Sequence, residues 1–219
     1  MKQLPARLVE SLRRKILLWE YPPGHRLLEQ EVSDEYGVSR VPAREALLTL
    51  AADGFVEKLP RRGYRVRQLD VTQASELYEV RLALELFVVS RLAAAPPRAS
   101  ALKELAAAWS PRAAGAMASP EEAARLDRLF HETLAGLLGN STLLEHLRTI
   151  NERIHIFRLI EFAALDQVQS TGIQHRAILA ALRSGDARAA RTAIEENIDR
   201  ARRKVASHIK EALARSYLR

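Results

Sequence analysis

The stretch Gly37-Val38-Ser39-Arg40-Val41-Pro42-Ala43-Arg44 restricts the fold more than any other. Glycine ends a helix at low cost because the left-handed conformation does not strain it. Two residues on, Ser39 is suited to cap a new helix through its hydroxyl. Pro42 then falls in the first turn, where a missing N–H does no harm. The stretch therefore reads as helix, tight turn, helix. Ala43, Ala46, Leu47 and Leu50 give the second helix an inward stripe at helical spacing. Arg40 and Arg44, four apart, share a different, outward face.

The flanking residues complete a recognisable order. Leu8, Leu12 and Ile16 predict a first helix over 4–19, broken by Tyr21-Pro22-Pro23-Gly24-His25. A second helix is expected over 28–36 and a third over 39–53. Two β-prone runs, Phe55–Leu59 and Tyr64–Leu69, follow on either side of an arginine-rich tip with Arg61, Arg62 and Gly63, and predict a hairpin. After Gln73 the chain reads as helices over 73–95, 98–117, 120–138, 142–163, 168–183 and 187–213, separated by proline, glycine and serine breakers. The expected fold is mainly α: an N-terminal winged helix-turn-helix over 1–70 and a C-terminal all-helical bundle of about six helices over 71–219.

Charge bears on the partner. There are 34 Lys and Arg against 27 Asp and Glu, a formal net charge of +7, which suits nucleic acid or an anionic membrane surface. The absence of cysteine excludes disulfides and thiolate metal sites and fits a reducing cytoplasm. No apolar run reaches the roughly 18 residues of a membrane span, and the first twenty residues contain no signal-peptide core. A cytoplasmic location, with no membrane partner, is expected. Two outward arginines alone would suit a solvated face, with Arg44 near Glu45. Together with the helix-turn-helix, the wing and the net charge, they point to DNA, where arginine bonds guanine O6 and N7 or a phosphate.

The residues from Pro22 to Val66 resemble the N-terminal domain of GntR-type transcriptional regulators. The resemblance rests on Gly24, Leu27, Glu29, Gly37-Val38-Ser39-Arg40, Pro42, Arg44-Glu45-Ala46-Leu47, Leu50, Gly54 and Gly63, and covers about 5–69. It implies that Ser39, Arg40 and Arg44 contact operator DNA and that Gly63 lets the wing tip approach it, with Arg62 alongside. Gln30 stands where some relatives carry a basic residue.

In the second half, polar residues interrupt apolar faces. Asp127 and His131 lie on the stripe of Ala123, Phe130 and Leu134, and His175 sits among Thr171, Ile178 and Leu182. Asn197 flanks Ala193, Ile194 and Ala201, and Arg81 and Glu85 lie within the stripe of Leu77, Leu84, Val88 and Leu92. Such groups are costly to bury without partners. A shared polar site is one solution, in which Asp127 and His131 at i, i+4 ligate a metal with His175. The bland solution is a set of separately satisfied core residues, with Arg81 and Glu85 pairing only with each other. Asn151 and His155 share a polar helix face with Arg148 and Arg158, either lining a pocket or facing solvent.

Residues 73–212 resemble the helical effector domain, FCD-like, of the FadR branch of GntR regulators, and six predicted helices bring it nearer the shorter VanR-like subgroup. The resemblance implies a divalent metal, zinc or nickel, on an Asp-x3-His pair and two later histidines. Asp127, His131 and His175 match three positions. Asn197 stands at the fourth and departs from the pattern, and its oxygen is a weaker ligand than imidazole. The resemblance also implies a homodimer on a short inverted repeat and a small carboxylate effector, an organic or sugar acid, for which Arg81 is the expected anchor and Asn151 and His155 candidate pocket residues. The function expected is a ligand-responsive transcriptional repressor and not an enzyme. The alternative is a metal-dependent enzyme built on the helical domain.

Overall fold

The computed structural model of the chain describes residues 3–216 apart from 18, 61, 69, 111, 114–116, 118, 163 and 164. The chain divides into two compact units between Asp70 and Val71, residues from Glu211 on grouping with the first.

The first unit contains α1 (Gln3–Leu17), β1 (Arg26–Leu27), α2 (Glu29–Tyr36), α3 (Arg40–Ala52), β2 (Val56–Leu59) and β3 (Gly63–Val66). Gly37, at φ 61, ends α2 in the left-handed conformation. The helix expected over 4–19 stops at Leu17, because the chain turns left-handed at Trp19 (φ 61) and the N–H groups of Glu20 and Tyr21 close back on the Lys15 carbonyl. The wing is a three-stranded antiparallel sheet in the order β1-β3-β2. β2 and β3 match the expected hairpin. β1 is too short to carry a periodic signal, and it exists because Arg26 and Leu27 pair with Arg65 and Tyr64. Leu12, Val32, Ala46, Leu47, Leu50, Phe55 and Tyr64 are buried together in this unit.

The second unit contains α4 (Val71–Ala94), α5 (Ala99–Ala108), α6 (Pro120–Leu137), α7 (Ser141–Arg153), α8 (His155–Phe162), α9 (Leu165–Ser184) and, as far as Lys210, α10 (Ala187–Ser216). α6 lies against α4, α7 and α8, and α9 against α4, α5 and α8. Ser119 caps α6, its hydroxyl accepting from the Glu122 N–H with Pro120 following, and Asn140 caps α7 in the same way.

Two helical expectations need correction. The helix expected over 98–117 ends at Ala108. Pro111 disfavours helical geometry at the residue before it, and 111 and 114–116 lie outside the described residues. The helix expected over 142–163 is interrupted at Ile154 (φ −89, ψ 3) and resumes as α8. Every residue from Ile156 to Phe162 is buried, so no polar face continues through it. Among the described residues, no helix is long and apolar enough to cross a membrane.

Candidate functional site

In the first unit the turn between α2 and α3 sets the arginines. Ser39 occupies the N-cap with extended backbone, but its hydroxyl makes no cap bond. Arg40 is exposed, and its Nε donates to Gln30 Oε1 at 2.5 Å. Arg44 is also exposed. Its Nε donates to both carboxylate oxygens of Glu29 at 2.9 and 3.0 Å, and Nη2 lies 2.9 Å from Oε2. The partner is thus Glu29, across the turn, rather than the neighbouring Glu45. The hydrogen bond from Arg44 holds the Glu29 carboxyl below its ordinary range. Exposed pairs of this kind contribute little to stability, so the contact orients the guanidinium while leaving it available to a stronger acceptor.

Arg62 is exposed in the turn between β2 and β3, and Arg61 lies outside the described residues. Gly63 has φ +78, and a Cβ there would stand 2.7 Å from Leu28 Cδ2 and 2.8 Å from the Leu27 carbonyl oxygen. Glycine is therefore required inside the unit, to seat β3 against β1.

In the second unit the structure brings Asp127 and His131 from α6 together with His175 from α9. One ligand atom from each lies within 4.8 Å of the others, and all three residues are buried. Asp127 Oδ1 is 3.6 Å from His131 Nε2 and 3.3 Å from His175 Nε2. Close as they are, neither nitrogen makes a directed hydrogen bond. The other carboxylate oxygen, Oδ2, accepts from Arg158 Nε at 2.7 Å.

A second carboxylate completes the arrangement. Glu85, on α4, pairs with His131 Nδ1 through Oε2 and accepts from Arg81 Nε through Oε1 at 2.6 Å. A ring that gives its Nδ1 proton to Glu85 turns the Nε2 lone pair toward Asp127. Two acceptors then face each other at 3.6 Å, which requires a positive charge between them, a proton or a metal cation. His175 is held from two sides. Phe130 stacks on it at 3.7 Å between centroids, and Trp109 meets it edge-on at 4.4 Å.

Burial and charge divide the titrating groups. Burial pushes His175 down to about 4 against the pull of Asp127, so its ring is neutral at neutral pH and free to ligate. Burial also works to raise Asp127, but His131, His175 and Arg158 outweigh it and hold the carboxyl well below its ordinary value. Glu85 is held at about 2: burial is again outweighed, here by His131 and Arg81. Glu161 goes the other way, raised to about 7 by burial and then by Asp127.

Of the remaining predicted site residues, Arg81 joins this network through Glu85 and Asn151 joins it through Arg158. Arg81 is buried, and its Nη2 has no hydrogen-bond partner; the hydroxyl of buried Tyr78 is in the same state. Asn151 is buried, donates to Glu132 at 3.0 Å and accepts from Arg158 Nη2 at 2.8 Å. His155 is half-buried at the start of α8. Asn197 is buried on α10 and donates to Gln174 Oε1 at 3.1 Å. The common polar face expected for Asn151, His155, Arg148 and Arg158 does not form. Arg148 is 59% exposed and Arg158 is 1% exposed, because the break at Ile154 changes the helical phase.

Sequence reasoning missed Arg158 and Glu161 as buried groups and Glu85 as the partner of His131. A weak signal for the first two exists: both stand in the otherwise apolar run Ile156–Phe162, where a helix has no polar side to give them.

Comparison with known proteins places both units. Residues 4–66 match the gntR family of bacterial regulatory proteins, and residues 76–210 match the FCD domain. The Nta operon transcriptional regulator of Aminobacter aminovorans is 34% identical over 144 residues, 66% of this chain and 68% of that protein. The HTH-type transcriptional repressor RspR of Escherichia coli (strain K12) is 26% identical over 187 residues, 85% of this chain and 82% of that one. The solved structure of Lar, which controls the expression of the Listeria monocytogenes agr system, aligns with a TM-score of 0.63 at 21% identity, over 92% of this chain and 96% of Lar. At that identity the likeness shows the fold alone.

Proposed function

Because the chain belongs to the gntR family of bacterial regulatory proteins, carries an FCD domain and is thus a DNA-binding transcription regulator, we propose that it is a repressor whose helical unit senses a small organic or sugar acid at a divalent metal held by Asp127, His131 and His175. The observation that carries this reading is the trio of buried ligand atoms, all within 4.8 Å of one another, with no directed hydrogen bond among them. Their chemistry, one carboxylate oxygen and two imidazole nitrogens, suits zinc or nickel. The ion would supply a fixed positive charge able to take an effector carboxylate. Glu85 fixes the His131 tautomer, and Arg158 holds the second oxygen of Asp127, so that Oδ1 is the ligand. Arg81, with Nη2 buried and unpaired, supports the reading of an anchor for the effector's carboxylate.

On the DNA side, α3 enters the major groove of each half of a short inverted repeat, bound by a homodimer. Ser39, Arg40 and Arg44 face the operator, and Arg62 and Gly63 bring the wing to a flanking groove. Acting on the chromosome places the protein in the cytoplasm. An enzymatic role for the helical unit finds no support among its relatives, which are transcription regulators.

Two measurements test the proposal. Elemental analysis of protein purified without added metal should find zinc or nickel in the wild type and none in His175→Ala. In fluorescence anisotropy, Arg44→Ala should weaken operator binding by about 1–3 kcal/mol if it reads a base. A metal-free wild type that an organic acid still stabilises against heat would make His131 and His175 hydrogen-bond donors to the acid in place of a metal. Full affinity in Arg44→Ala would remove α3 from the groove.

A further inference from the structure

The outward face of α3 holds two apolar side chains that the fold leaves exposed, Val41 in the first turn beside the arginines and Leu48, 44% exposed, two turns further on. Val41 is 64% exposed although it stands in the first turn of the helix. The core stripe of α3 is complete without it, since Ala43, Ala46, Leu47 and Leu50 are all buried. At 100° per residue, Val41 projects from the side of the helix opposite Leu50, next to Arg40 and Arg44. Both arginines are engaged across the turn, by Gln30 and Glu29, and Val41 stands uncovered beside them.

An isopropyl group can bond neither a phosphate nor the polar edge of a base. Set against the exocyclic amine of cytosine or adenine, it would leave a donor unpaired. The one favourable contact available to it in the major groove is the C5-methyl group of thymine. We propose that Val41 packs on the 5-methyl group of a thymine in each operator half-site and so fixes a thymine preference beside the bases or phosphates met by Arg40 and Arg44. The proposal rests on the reading that α3 lies in the major groove.

The test uses full-length protein and an operator duplex selected by the wild type from a random library. Each thymine is replaced in turn by deoxyuridine, which keeps the hydrogen-bonding groups and lacks only the methyl. Binding is followed by fluorescence anisotropy. At one position per half-site, loss of the methyl should weaken the wild type about fourfold, the worth of one buried methyl-sized group. Val41→Ala, weakened on the parent duplex, should show no further loss at that position, while any other methyl effect stays equal in the two proteins. The side chain is exposed, so the alanine variant should melt with the wild type.

The proposal is overturned if no thymine methyl matters, or if Val41→Ala keeps the fourfold loss. Arg44→Ala, measured in parallel, separates the two failures. If it loses affinity while Val41→Ala keeps its methyl sensitivity, α3 is in the groove and Val41 reads nothing. If it binds as the wild type does, the groove reading fails and the role of Val41 with it.

Discussion

Glu85→Gln removes the charge that ties the buried network of the second unit together. The carboxylate serves Arg81 and His131 at once, and all three side chains are almost fully buried. Its carboxyl, ordinarily at 4.5, is held at about 2. At about 1.36 kcal/mol per unit, that difference makes the ionised group worth about 3 kcal/mol to the folded state at neutral pH. Removing one partner of a buried ion pair costs a similar amount, about 3–5 kcal/mol. The folded value lies below the unfolded one, so the contribution is fully present above about pH 4.5 and is lost as pH falls toward 2. Glutamine copies the shape of the protonated acid. Wild type and variant should therefore differ by about 3 kcal/mol at neutral pH, by about 1.4 kcal/mol near pH 3, and converge below that. Urea unfolding of the full-length proteins, followed by circular dichroism across this range, measures the gap. A difference under about 1 kcal/mol at neutral pH, or one of constant size down to about pH 3, would refute the view that ionic contacts, rather than packing, give Glu85 its weight.

Glu161 predicts the opposite sign. Its folded value, about 7, lies above the ordinary 4.5, so its ionisation opposes folding as pH rises through that interval, and Glu161→Gln should raise the melting temperature near pH 8 with little effect near pH 4. If position 197 reaches the ion, as the family resemblance implies, Asn197→His should supply a fourth ligand and tighten zinc or nickel binding, more at neutral than at acidic pH, because the ring must be deprotonated to ligate; isothermal titration gives the affinities, and equal values would mean that position 197 does not reach the ion. Gly63→Ala should destabilise the first unit by about 1–3 kcal/mol, from the strained positive φ together with the collision with Leu28 and the Leu27 carbonyl, read as a lower melting temperature and weaker operator binding. An effector that releases operator must itself bind more weakly when operator is present, by the same factor, and equal calorimetric affinities with and without DNA would exclude coupling between the two sites.

The sequence by itself determined what local geometry controls. Glycine at 37, proline at 42 and the inward stripe from Ala43 to Leu50 bound α3 to within a residue, because helix ends depend on backbone chemistry within one turn. Asp127 and His131 were legible as neighbours because four residues make one helical turn, whatever surrounds them. The tertiary structure decided the partners. Nothing in the spacing says that Glu29 rather than Glu45 holds Arg44, that Glu85 reaches the ring of His131, or that Arg158 enters the core to hold Asp127. Those pairings join residues 15, 46 and 31 positions apart. The first follows from the way α2 and α3 meet across their turn, and the other two from the crossing of packed helices and the need to pair every buried charge. The break at Ile154 was invisible for the same reason. Periodicity counts apolar residues along one helix, and it loses its phase where α8 is buried on every side.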